Sequence, residues 1–105
     1  MKPAILRPQA KCDRPLEVRH YRKEAGTKVA VRVVAATNAA LDKLELEPGI
    51  GSPTLGKDLG IPDLRRRRVT GFPLLWFYFE RSDHLDVVRL LGERQDIASI
   101  LTRSF

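Results

Sequence analysis

Four consecutive arginines, followed closely by an unbroken apolar run, constrain this chain more than any other feature. Residues 64–97 read LRRRRVTGFPLLWFYFERSDHLDVVRLLGERQDI. Leu74 to Phe79 is apolar at every position, and a second apolar segment, Leu85 to Leu91, follows the turn signal Ser82-Asp83. Alternation of side chains along a strand, interrupted by turn residues, predicts three neighbouring β-strands. A run that is apolar on both alternating sets predicts a central strand covered on both faces. Arg65, Arg66, Arg67 and Arg68 then form a cationic strand beside it, with two guanidinium groups toward each face. The pair under the helices needs carboxylates, backbone carbonyls or an edge exit, because unpaired buried charge is costly. The other pair is free to bind phosphate or an acidic peptide.

Length and charge bound the rest. A chain of 105 residues, 43% apolar and 30% charged, is read as one globular domain spanning residues 1–105. No apolar stretch reaches the roughly 20 residues of a membrane span, and the N-terminus carries no signal-peptide core. One cysteine, Cys12, cannot form an internal disulfide. Together these features predict a cytoplasmic protein with no membrane association. The net charge of +6 is uneven: +4 over residues 1–26, −1 over 27–63 and +3 over 64–105. Such an excess favours nucleic acid or an acidic protein segment without choosing between them, and is also compatible with a merely solvated face.

Upstream of the arginines, Lys2 to Arg7 reads as an edge strand ending at Pro8. Asp13 as cap and Pro15 in the first turn predict a helix to about Glu24, with Leu16, Val18, His20 and Tyr21 inward. Gly26 ends it, and Thr27 caps a second helix whose inner stripe is Val29, Val33, Ala36, Ala40 and Leu44. Pro48 to Pro62 holds three prolines and four glycines and reads as a surface connection. Its glycines lack the Gly-Lys-Ser/Thr of a phosphate loop. Asp96 to Thr102 predicts a short terminal helix. The fold class is therefore α+β: an N-terminal strand, an α-helical hairpin packed on one face of a mostly antiparallel sheet, and a short C-terminal helix.

The chemistry these residues allow is binding rather than turnover. Downstream of Asp63 every cation is arginine, which does not deprotonate near neutral pH. RNA cleavage through the 2′-hydroxyl needs groups that take and return a proton, and such groups are sparse here. Trp76, Phe77, Tyr78 and Phe79 could stack bases, but at strand spacing inside an apolar run they read as core. His20 and His84 stand far apart with one thiol between the chain's ends, so no metal or other cofactor is expected. Arg89, inside an apolar strand and assigned to the alternating set of Leu85, Val87 and Leu91, faces either an intramolecular carboxylate or a ligand.

At these residues the chain resembles the RelE/ParE superfamily of bacterial type II toxin–antitoxin toxins, ParE in particular. GFPLLWFY followed by VVRLLGERQDI is similar to the ParE pattern of Gly-Phe-Pro, an apolar strand, a strand with Arg among aliphatics, then Gly-x-Arg-x-Asp-Ile. The resemblance covers roughly Ile5 to Leu101. It implies a non-enzymatic toxin of plasmid or chromosome maintenance. Such a toxin inhibits DNA gyrase and is neutralised in a hetero-oligomer by a cognate ParD-like antitoxin. The alternative it implies is a RelE-like, ribosome-dependent mRNA endonuclease. RelE-like sites use lysines, arginines and a C-terminal tyrosine. Here Arg94 matches the Gly-x-Arg position, whereas Pro73 stands in place of an arginine and Ile100 in place of the tyrosine. Arg66 and Arg68 occupy the region of the lysines. The candidate target- or antitoxin-binding residues are Arg65, Arg66, Arg67, Arg68, Arg89 and Arg94, and none is expected to be catalytic.

Overall fold

The computed structural model describes residues 1–105. Strand β1 (Ala4–Leu6) leads into helix α1 (Pro8–Ala25) and helix α2 (Thr27–Leu46). A 3-10 turn (Pro48–Ile50) and a short helix α3 (Thr54–Asp58) follow, then strands β2 (Arg65–Arg68), β3 (Leu74–Glu80) and β4 (Leu85–Gly92), and helix α4 (Ile97–Arg103). The sheet order is β1-β4-β3-β2, with β1 parallel to β4 and the other pairs antiparallel. This is the expected α+β arrangement. β3 is central, with Leu74 to Phe79 buried throughout. No helix is long and apolar enough to cross a membrane.

The two faces of the sheet bury different sets. Leu74, Trp76, Tyr78, Leu85, Val87 and Leu90 pack under the helical hairpin with Val33, Leu41 and Leu44. Leu75, Phe77, Phe79, Val88 and Leu91 pack on the opposite face with Leu64 and Leu101 of α4. The expectation of helices on one face is thus corrected: a central strand that is apolar on both sides needs two covers, and α3 and α4 supply the second. The reach from Pro48 to Pro62 likewise contains short helical turns where a bare connection was expected.

The hairpin also departs locally from expectation. α1 begins at Pro8, where the missing N–H costs nothing, so Asp13 is not a cap but a buried inner-face residue. Its buried positions are Ala10, Asp13 and Glu17, while Leu16 is 57% exposed. The inner face of α1 is therefore partly acidic. Between the helices Gly26 holds φ +93°, a left-handed value that favours glycine, and Thr27 makes no side-chain cap. α2 buries Ala30, Val33, Thr37, Leu41 and Leu44, the expected 3.6-residue periodicity shifted slightly around the helix. In β4 the register with β3 slips between Phe77 and Tyr78, so Tyr78 faces Val87 and Phe77 faces Arg89. That bulge breaks the alternation: Leu85 and Val87 join the hairpin side, Leu91 the other.

Candidate macromolecule-binding surface

β2 is an edge strand, and its four residues divide by register. Arg65 and Arg67 pair with Tyr78 and Trp76, whose side chains lie on the hairpin side; Arg66 and Arg68 pair with Phe77 and Leu75 on the other. The outer edge of β2 meets only Ser52. Ser52 N–H donates to Arg66 O at 2.9 Å, and Arg66 N–H donates to Ser52 O at 3.0 Å. The next residue pointing its backbone the same way, Arg68, has no strand beyond it.

The loop that carries Ser52 is fixed by Tyr78. The buried hydroxyl donates to Pro48 O at 2.6 Å and accepts from Gly51 N–H at 3.0 Å. A methyl group on Gly51 would fall 2.8 Å from Tyr78 Cε1, so only glycine lets the loop lie this close. Burial pushes the phenol above its ordinary pKa, which keeps it a neutral hydrogen-bonding group rather than a base. Tyr78→Phe is expected to cost about 1–3 kcal/mol of stability, the penalty for stranding a buried N–H and C=O. Chemical denaturation measures this, and an unchanged unfolding free energy would mean the hydroxyl contributes nothing.

The six candidate arginines fall into distinct settings. Arg65 Nη1 donates to Gly51 O at 2.6 Å and Gly49 O at 3.3 Å, the backbone-carbonyl solution expected for the hairpin side. Arg68 Nε holds Glu93 at 2.9 Å, both side chains about half exposed, a pair worth at most about 1 kcal/mol. Arg66 and Arg67 have no ion-pair or hydrogen-bond partner for their guanidinium groups. A groove of about 520 Å³ beside β2 is lined by Arg66, Arg67, Arg68, Ser52, Glu93 and Ile97, among others.

Arg89 and Arg94 are engaged elsewhere. Asp13 takes Arg89 Nε and Nη2 at 2.8 and 2.9 Å, and accepts Leu90 N–H at 3.0 Å. Arg89 Nη1 also reaches Ser104 Oγ at 3.3 Å. The bond from Asp13 raises the Arg89 pKa above its ordinary value, so this guanidinium is permanently charged and paired. Glu17, one turn along α1, takes Arg94 Nη2 and Nη1 at 3.1 and 3.2 Å. Asp13 therefore does two things: it neutralises Arg89 and satisfies the edge of β4 past the end of β1. Sequence reasoning read Asp13 only as a cap and passed over Glu17; their i, i+4 spacing, which stacks them on one helix face, was the available signal. His84 pairs with Asp83 at 2.7 Å in the β3–β4 turn, and His20 lies edge-on to Tyr21 at 5.4 Å, both away from β2.

The six arginines thus do not form one cluster. Arg65 to Arg68 stay together on β2, with Arg66 and Arg67 open, while Arg89 and Arg94 tie the sheet to α1. No family model matches the chain, and no curated protein matches it. Among solved structures, a chain of the chromosomal ParDE TA system from P. aeruginosa matches with a TM-score of 0.73 at 17% identity, covering 88% of this chain and 96% of that one. The protein therefore has the fold of a component of that ParDE system, the fold implied by its Gly-Phe-Pro and Gly-x-Arg-x-Asp-Ile segments.

Proposed function

We propose that this chain is the toxin of a type II toxin–antitoxin pair, of the ParE kind, which binds and inhibits DNA gyrase in the cytoplasm. In this reading a cognate antitoxin holds it inactive in a hetero-complex. The observation that carries the reading is the fold shared with a component of the ParDE system over 88% of the chain. The chemistry of β2 supports a binding role over turnover. Its cations are arginines, and the one phenol in the adjoining strand is buried with its oxygen bonded twice. Arg66, Arg67 and the weakly held Arg68 are the surface proposed to meet the target. Arg89 and Arg94 act in this proposal by holding the sheet in place.

Purified protein added to gyrase is expected to block supercoiling of relaxed plasmid, and co-expressed antitoxin is expected to abolish the block. Full supercoiling at a large molar excess of folded protein would overturn the reading. Cleavage of messenger RNA at codon boundaries in a ribosome-containing extract would instead establish the RelE-like alternative.

A further inference from the structure

Two concavities flank the open end of β2 and meet at Arg67 and Arg68. One is the groove described above, about 520 Å³; the other, about 180 Å³, lies against α2, where Ala36, Ala39 and Ala40 leave room beside Lys43. A thin edge strand thus separates two cationic hollows, with Arg66 on one side, Arg67 and Lys43 on the other, and none of the three paired with an acid. At the far end of β2 a third hollow sets Lys57, Arg65 and Arg81 against Asp63 and Glu80, and its Arg65 and Arg81 are already bonded to Gly51 O and Asp86. The Arg66–Arg68 end holds the larger unspent positive charge, Arg66, Arg67 and Lys43 against Lys57 alone at the far end.

We propose that this edge is a phosphate track for the backbone of duplex DNA, a binding activity beyond gyrase inhibition that uses the same Arg66–Arg68 surface and is measured without gyrase. Residues two apart on a strand are separated by about 6.6 Å, close to the through-space distance between neighbouring phosphates on one DNA strand, which exceeds their axial rise of about 3.4 Å because the strand winds around the helix. Arg66 and Arg68 therefore present guanidinium groups at a spacing that successive phosphates can meet, and Ser52 adds a hydroxyl of the kind that contacts phosphate oxygens. Arginine forks suit phosphate oxygens better than point charges do. Single-stranded nucleic acid is the poorer fit. It is held chiefly by bases stacking on exposed aromatic rings, and Trp76, Phe77, Tyr78 and Phe79 are all buried beneath this edge. The Glu93 carboxylate seated on Arg68 occupies the place a phosphate oxygen would take, and so weak a pair yields readily to a polyanionic backbone.

The test is anisotropy of a labelled duplex of arbitrary sequence, titrated with the purified chain and without gyrase. The wild type is expected to bind, with affinity falling steeply as salt rises. Arg66→Ala/Arg67→Ala is expected to weaken binding about tenfold and to flatten the logarithmic salt slope by about 1–2, one for the Arg66 contact on the track and up to one more for the Arg67 charge beside it. Lys23→Ala/Lys28→Ala, which removes the same charge from the exposed hairpin tip, is expected to leave both nearly unchanged, and Glu93→Gln to tighten binding. Neither arginine has a partner in the fold, so the double variant should melt normally; if it does not, Arg66→Gln/Arg67→Gln replaces it. Absence of binding at about 50 mM salt, where such contacts are strongest, would overturn the assignment. So would equal losses in the two double variants, or tighter binding of polyglutamate or single-stranded RNA than of the duplex. Because gyrase is absent, failure here leaves gyrase inhibition to be judged by its own assay.

Discussion

Asp13→Ala is expected to lower the unfolding free energy by about 3–5 kcal/mol, the cost of leaving one partner of a buried ion pair without the other. The Asp13 side chain is 9% exposed and that of Arg89 18%, so neither charge can turn to water without rearrangement. The same substitution strands Leu90 N–H, which donates to Asp13 Oδ2 at 3.0 Å. For a domain whose whole stability is about 5–15 kcal/mol, this leaves a barely folded protein. Urea denaturation followed by circular dichroism measures the effect. Replacing both partners by apolar residues, Asp13→Leu/Arg89→Met, is expected to recover most of the loss, short of the penalty for the Leu90 N–H. A midpoint unchanged in Asp13→Ala would mean that α1 does not secure β4 through this pair. The functional corollary is specific: activity lost in an Arg89 variant should be lost together with the fold.

Trp76→Ala is expected to be comparably severe, about 3–5 kcal/mol. The indole is fully buried at the centre of β3, and its Nε1–H donates to Thr37 O of α2 at 3.2 Å. The Arg14 guanidinium of α1 lies 5.7 Å from the ring centroid, so this one side chain contacts both helices of the hairpin and the sheet. Alanine would leave a cavity at that junction and an unpaired carbonyl. The melting temperature should fall by about 15 °C or more for a domain of this size. A fall of only a few degrees would show that the hairpin is anchored elsewhere.

These two sites also mark the limit of what local sequence conveys. The strands around Trp76 were legible because an apolar run bounded by Gly71-Phe72-Pro73 and Ser82-Asp83 has few other solutions, and α2 was legible from its 3.6-residue stripe. α1 was legible only in part: the helix, its end at Gly26 and the packing of Val18 and Tyr21 were, whereas Asp13 and Glu17 on its inner face look like cap and surface residues until their arginines, 76 and 77 positions away, are placed against them. The Val88 bulge likewise hides from any alternation rule, and with it the true setting of Arg89. The demand for two covering layers was visible in Leu74 to Phe79, yet nothing local in Ile97, Ile100 and Leu101 says which layer they join. For the candidate surface, the charge of Arg65 to Arg68 was plain from the sequence. Which guanidiniums stay open depends on Gly51 O and Glu93, brought to β2 only by folding.

Inhibition of gyrase supercoiling by Arg66→Ala/Arg67→Ala, measured beside the wild type at matched folded concentration, is the most direct trial of β2 as the working surface. The wild type should inhibit, and the double variant should fail over the same range while keeping its melting temperature. Undiminished inhibition by the double variant would contradict a role for the open arginines of β2.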